Sequence, residues 1–531
     1  MHTLAKYGLL TTSVIQACSA YVAQPKDGNT TSTCKTTTDT TVAILGGGMA
    51  GLTAAQALTN ASVTDFLILE YRDQLGGRMW HTDFGKDKNG DPFTIEFGAN
   101  WVQGIGSNTT ENPIWHLAKK HKLKNHYSNY DSILTYDENG YVDYTDILNE
   151  YSKISDKASQ QAGKLLVENV QDETARTGYA LAGWNPRHGD MKAQAVEWWN
   201  WDWEDAWSPE TSSFIFGMAG ENLTFNQFGP DNNLAIDQRG FSVIITDEAK
   251  TYLKPEQVRL NTEVTQIDYS SDGVTVHTKN GDCVRAAYAI CTFSLGVLQR
   301  DVVKWEPQLP LWKRTAIQKF NMGTYTKIFM QFNETFWPEG TEYFLYASPT
   351  TRGYYPVWQS LSTEGFFPGS NIIFVTLVQD QAWRAELQSD EETKEEAMAV
   401  LREMFPNKDI PDPIAFKYPR WTSVPWAYGS YSNWPAGTTL EMHQNLRANV
   451  DRVWFAGEAI SAEYFGFLQG AWFEGREAGM QVAALLQERC VSIYGDKVCG
   501  DRIHYDPLQG TTPIDAYTLI NGWPVDSVHL E

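Results

Sequence analysis

The sequence predicts an α/β protein of two interleaved domains, each assembled from separated segments. Three observations carry that reading. The apolar run TVAIL (41–45) leads into GGGMAG and then LTAAQALTN, which reads as strand, tight turn and helix. A second apolar run, DFLILE (65–70), completes a strand–helix–strand unit. Far along the chain, RVWFAGE (452–458) and QGAWFEGREAGMQVAALLQE (469–488) repeat the strand-then-helix order. A chain of 531 residues is too long for one core, so two or three domains are expected.

At 42% hydrophobic and 13% aromatic residues, the chain can build such cores. Acids outnumber bases 65 to 42, a net charge of −23. No nucleic-acid partner is expected, because phosphate contacts need clustered Lys and Arg. A negative field favours cationic ligands, although solubility alone would also account for it. No run of ~18 apolar residues exists, so no transmembrane helix and no membrane partner are expected. A monomer or weak homo-oligomer is the expected state.

Residues 1–20 resemble a weak signal peptide, with Lys6, a mildly apolar run and Cys18-Ser19-Ala20 at the cleavage point. Residues 21–40, rich in Thr, Ser, Asn and Lys, read as a flexible leader. N-x-[ST] triplets at Asn29, Asn60, Asn108, Asn222 and Asn333 fit a secreted glycoprotein. The six cysteines form no C-x-x-C pair and no Cys/His cluster in sequence, so no metal is expected. Cys490 and Cys499 flank the turn-like VSIYGDKV and suit a disulfide in a secreted chain. If Cys18 leaves with a signal peptide, at least one of the other five stays unpaired within the chain.

Between the outer units, residues 258–292 read as short strands joined by Asp-Gly and Asn-Gly hairpin turns. Residues 116–234 read as mostly helical. Residues 301–437 mix strands such as YTKIFMQF and NIIFVTLV with a charged helix, SDEETKEEAMAVLREMF. The expected division is 41–115, 235–300 and 438–490 for a nucleotide-binding domain. The second domain takes 116–234 and 301–437, and 491–531 form a C-terminal tail.

Gly46, Gly48 and Gly51 form G-x-G-x-x-G between a strand and a helix. The first glycine makes the tight turn, the second lets a pyrophosphate approach, and the third lets helix and strand pack closely. The helix N-terminus then faces the phosphates. Glu70 ends the next strand about 20 residues on, placed to bind a ribose hydroxyl. The glycines alone are a weak signal; the strand, helix and acid around them make it specific. FAD is favoured over NAD by three features: RDQLGGR, where Gly76 and Gly77 let Arg78 reach a phosphate; Glu458 in FAGE; and a helix starting near Gly470, its dipole toward a flavin ring.

These stretches, with EFGANWVQG, SLGVLQRDVVKWEPQLPLWKRTAIQKFNMGTYTKIFMQF, YGSYSNWPAG and FAGEAISAEYFGFLQGAW, resemble the flavin-containing amine oxidases, and within them the secreted plant-type polyamine oxidases. The resemblance runs from about residue 40 to 490. It implies a Rossmann-like FAD-binding domain with a discontinuous substrate domain of mixed sheet and helices. It implies FAD held at Glu70, Arg78, Val264 and Glu458. Without it, Val264 in LNTEVTQI reads as core. It implies a catalytic lysine at Lys327, holding a water near the flavin. Period-2 alternation in YTKIFMQF places Tyr325, Lys327 and Phe329 on one face. Composition alone would instead make Lys327 an edge-strand guard. Tyr431 and Phe467 match the aromatic pair that flanks the substrate, and Trp421 a tryptophan against the flavin. Ser430 stands where the mitochondrial monoamine oxidases carry a flavin-linked Cys, so non-covalent FAD is implied.

The run WWNWDWEDAW (198–207) matches a substrate-tunnel stretch, with Glu204 at its acidic position. A polyamine has methylenes that want apolar walls and charges that want carboxylates and π faces. The competing reading is a helix with tryptophans in the core and acids in solvent, since helical residues cannot all face one tunnel. Asp202 and Asp205 stay open. Gln103, in GANWVQG, departs from the plant enzymes, which have Glu there, so one tunnel charge is lost. The implied reaction oxidises the carbon beside a secondary amine with molecular oxygen, giving an aminoaldehyde, a shorter amine and hydrogen peroxide. Rival expectations are an L-amino-acid oxidase, which needs an Arg such as Arg420 to clamp a carboxylate, a monoamine oxidase, and a secreted flavoprotein without polyamine activity.

Overall fold

The computed structural model describes residues 34–106, 110–168, 170–493, 496–508 and 510. The expected signal peptide, the leader up to residue 33, Asn29, Asn108, the side chain of Asn222 and the end of the tail lie outside them.

An eight-stranded sheet brings the outer segments together. Five of its strands run parallel, in the order Val258–Arg259, Phe66–Leu69, Thr37–Leu45, Cys283–Cys291 and Val453–Phe455. Val42–Leu45 are fully buried, as a parallel strand covered on both faces must be. The helices Met49–Asn60 and Leu468–Leu486 pack against each other beside it. They come close because Gly475 carries no side chain: a Cβ there would lie 2.1 Å from the Ala50 carbonyl oxygen. Two antiparallel strands, Val274–Thr278 and Val264–Tyr269, and then Lys304–Glu306 extend the sheet.

A seven-stranded sheet forms the second layer system. Its order is Ala415–Lys417, Tyr325–Gln331, Ile372–Val378, Val357–Ser360, Tyr343–Tyr346, Ile133–Asp137 and Gly140–Tyr141. Trp101–Gln103, Asn232–Ala235 and Asn125–Tyr127 form a three-stranded antiparallel sheet.

Three sequence expectations change. The first strand begins at Thr37, inside the stretch read as leader, because Thr37–Thr40 pair with Cys283–Ala286 despite their polarity. Cys34 is bonded to Cys283, a partner no local pattern announces. The segment read as mostly helical also contributes strands, from Asn125–Tyr127 through Asn232–Ala235, and Lys304–Glu306 joins the first sheet although it lies past residue 300. Cys490 does bond Cys499, across an antiparallel pair, and Cys291 is buried and free. Among the described residues, no helix is long and apolar enough to cross a membrane.

Candidate active site

A cavity of about 330 Å³ is lined both by the glycine turn and by residues of the second domain. At the turn, Gly46 takes φ +115°, and a Cβ there would collide with Thr292 Oγ1 at 2.4 Å. A Cβ at Gly51 would sit 2.0 Å from the Gly46 carbonyl oxygen, so the third glycine sets helix against strand. A Cβ at Gly48 meets nothing closer than Gly77 Cα at 3.6 Å. Gly48 and Gly77 both line the cavity, so their backbone is bare toward it. Gly457, also in the lining, has φ +141° and open space where a Cβ would be.

Glu70 is buried at the strand end, with Oε2 accepting from Gly47 N–H (2.6 Å) and Oε1 from Arg72 N–H (2.8 Å). Burial raises its pKa, while the two N–H groups oppose the rise. Val264 is at once core and cavity wall, next to a bulge in its strand. Arg78 was expected on a phosphate; its Nη1 donates to Glu458 Oε1 (2.7 Å) and to the Ser430 carbonyl (2.9 Å). Glu458 also accepts from Ser432 Oγ (2.5 Å) and Gly466 N–H (2.9 Å). A bare glycine cradle beside a buried strand-end carboxylate fits a dinucleotide. The later helix, starting at Leu468, puts Phe467, Leu468 and Gln469 on the same cavity.

Aromatics from both domains close the cavity, beside the neighbouring acids Glu204 and Asp205. Trp421, Tyr325, Tyr431, Phe467 and Trp203 all line it. Trp421 packs edge-on against Trp80 and Trp426. Tyr431 O–H donates to the Glu204 carbonyl (2.7 Å), and its ring lies 5.9 Å from Tyr325. The Glu204 carboxylate accepts from Gln103 Nε2 (2.9 Å). Burial pushes Glu204 up to about 7, against that hydrogen bond. Gln103 therefore steadies the acid, a role its sequence position did not reveal.

Lys327 is fully buried on Tyr325–Gln331, an interior strand of its sheet, which removes the edge-guard reading. Its Nζ donates to the Gly98 carbonyl (2.8 Å) and lies 5.5 Å from the Trp101 ring centre. Gly98 and Trp101 line the cavity, and Lys327 stands behind them rather than among the lining residues. Burial lowers its pKa, and the carboxylate of buried Glu96 opposes that shift. Glu96 was not anticipated; its only signal is an acid closing the apolar stretch FTIEF. Lys327→Met is expected to keep flavin content and slow turnover by more than about tenfold, ~1.4 kcal/mol in a barrier. Rapid-mixing measurement of flavin reduction and reoxidation checks this; near-normal turnover would leave Lys327 a structural strand residue.

The tryptophan run divides between the two readings. Met191–Glu197 is α-helical, Trp198–Asp202 is a π turn, and Trp203–Asp205 resumes the α-helix. A π turn inserts a residue and so changes which side chains face together. Trp198, Trp199 and Trp201 go to the core, and Trp207 packs on Trp383. Only Trp203, Glu204 and Asp205 of the run line the cavity. Asp202 is taken by Arg352 (2.6 and 2.8 Å), which also binds Glu197, so it serves the fold. Asp205 accepts from Asn433 Nδ2 (3.3 Å). Arg420 is engaged by Asp390 and lies outside the lining, where Arg78 is the one arginine among the described residues.

A glycine cradle thus opens into an aromatic chamber that holds a carboxylate, an arrangement that suits a dinucleotide beside a cationic small molecule. The chain belongs to the flavin-containing amine oxidoreductases, whose family model matches residues 49–483. It is 38% identical over 453 residues to polyamine oxidase 1 of Zea mays, covering 82% of this chain and 88% of that protein. It is 37% identical over 451 residues to polyamine oxidase 7 of Oryza sativa subsp. japonica, covering 82% and 93%. A solved structure of putrescine oxidase with putrescine bound superposes with a TM-score of 0.66 at 17% identity, covering 84% of this chain and all of that one, and shows the shared fold.

Proposed function

We propose that the protein is an FAD-dependent polyamine oxidase, oxidising the carbon beside a secondary amine of a spermine- or spermidine-like substrate. The observation that carries this is Glu204, a carboxylate inside an aromatic cavity continuous with the cofactor cradle. The named polyamine oxidases among its relatives support it. Bound flavin would supply the hydride acceptor. The chain's own residues do the rest. Tyr431, Phe467, Trp421 and Tyr325 surround the reacting region with apolar surface, which disfavours an ammonium and favours the neutral amine that can be oxidised. Gly98 takes one donor of Lys327, leaving the others for a water. Glu204 pairs with a distal ammonium.

The flavin is held without a covalent bond: Ser430 has no thiol, and its Oγ already accepts from Tyr325 N–H (2.7 Å). The chain is secreted. Exposed sequons at Asn60 and Asn333 and two disulfides support passage through an oxidising compartment. The test is peroxide release from purified protein with spermine, spermidine, their acetylated forms and L-amino acids. Polyamine-dependent peroxide, and yellow FAD freed by acid precipitation, are expected. Peroxide from L-amino acids alone would overturn the substrate reading, and flavin retained on the precipitate would overturn non-covalent binding.

A further inference from the structure

The Cys34–Cys283 disulfide has company that a purely structural bond does not need. His277 and Cys283 are cross-strand partners on Val274–Thr278 and Cys283–Cys291. His277 Nδ1 lies 3.3 Å from Cys283 Sγ, and its Nε2 lies 2.7 Å from Asp268 Oδ2 on the next strand. Gln266 Nε2 fixes the other Asp268 oxygen at 2.6 Å. A disulfide sulfur has no hydrogen to donate, so the contact makes chemical sense as an N–H pointing at sulfur. Only a doubly protonated ring donates from both nitrogens, to Asp268 and to Cys283 at once. Sulfur, base and orienting carboxylate thus stand in the order that activates a thiolate. The two sulfurs also differ in access: Cys283 is buried, whereas Cys34 is partly exposed.

We propose that this disulfide is exchange-active: a small thiol of the glutathione type attacks Cys34 Sγ, and His277, oriented by Asp268, receives the departing Cys283 thiolate. The incoming thiolate forms a bond to Cys34 Sγ as the Cys34–Cys283 bond breaks. The electron pair goes to Cys283 Sγ, which is held by the imidazolium or takes its Nδ1 proton. No net oxidation occurs. Exchange is faster when the leaving thiol is the more acidic one, and His277 acts on the sulfur that leaves. The product carries a mixed disulfide on Cys34 and loses the covalent tie between the residues ahead of the first strand and Cys283. Cys490–Cys499, which no described histidine contacts, provides an internal reference.

The experiment incubates the holoprotein with reduced glutathione, quenches with acid and maps peptides by mass. Glutathione is expected on Cys34, with Cys283 as a free thiol, forming faster than any adduct at Cys490 or Cys499. His277→Ala and Asp268→Asn are each expected to slow it by roughly tenfold or more, with exchange at Cys490–Cys499 and flavin absorbance unchanged. If His277→Ala fails to fold, Asp268→Asn, at a partly exposed carboxylate, reads the same effect. An adduct on Cys283, no adduct on Cys34, or a rate in the variants equal to the parent would each overturn the proposal.

Discussion

Glu70→Ala is expected to yield folded, colourless protein. The side chain does two jobs at one point. Its oxygens accept from Gly47 and Arg72 N–H, bracing the glycine turn from below. It is also the acceptor we propose for a ribose hydroxyl. A hydrogen bond to a charged group contributes ~1.5–3 kcal/mol, and a buried donor left bare costs about 1–3 kcal/mol. Together these weaken flavin binding by more than about a hundredfold. Flavin absorbance per protein, with circular dichroism to confirm folding, measures it. Full occupancy in the variant would remove Glu70 from the cofactor site and leave it a brace for the turn.

Glu204→Gln is expected to lower kcat/KM for spermine by roughly ten- to a hundredfold, the worth of one charge-assisted contact at ~1.5–3 kcal/mol. A monoamine has no distal charge, so its loss should be smaller. The pH dependence separates charge from shape. With its carboxyl pushed up to about 7, Glu204 is neutral below that pH and ionised above it. Polyamine kcat/KM should therefore rise through about pH 7 in the parent, and that limb should vanish in Glu204→Gln. The same shift has a stability sign. A carboxyl raised in the fold supports the free protein below about 4.5, and that support is lost as pH rises through about 7. Gln103→Glu would not add an independent anchor. Because Gln103 touches Glu204, the two acids would share a proton at neutral pH. Equal losses for spermine and a monoamine would mean that Glu204 shapes the wall and does not read charge.

Much of the nucleotide end was legible because its signals are local. A buried strand, a glycine turn and a strand-end acid within one short stretch leave few alternatives. Gly46, Gly48, Gly51 and Glu70 occupy the positions their spacing implied. The substrate end was legible mainly as residue types. The run at 198–207 held the acid that the structure places in the cavity wall, but nothing in its spacing announced a π turn that sends three tryptophans to the core and one to the cavity. Asp202 and Glu204 are two residues apart and differ completely in role, because one meets Arg352 and the other Gln103. Those partners lie about 150 and 100 residues away, beyond any sequence period.

The sequence by itself determined the α/β class, the dinucleotide turn, the strand that carries Lys327 and the aromatic and acidic character of the chamber. These follow from local periodicity, glycine spacing and composition, which a single stretch of chain contains. Only the tertiary structure decided that Gln103 holds Glu204, that Glu96 backs Lys327, that Arg78 meets Glu458, and that Cys34 bonds Cys283 beside His277. Each of these pairs joins residues from different elements of the chain. Burial makes a polar group seek whatever partner the packing brings within reach, and packing is a property of the whole fold.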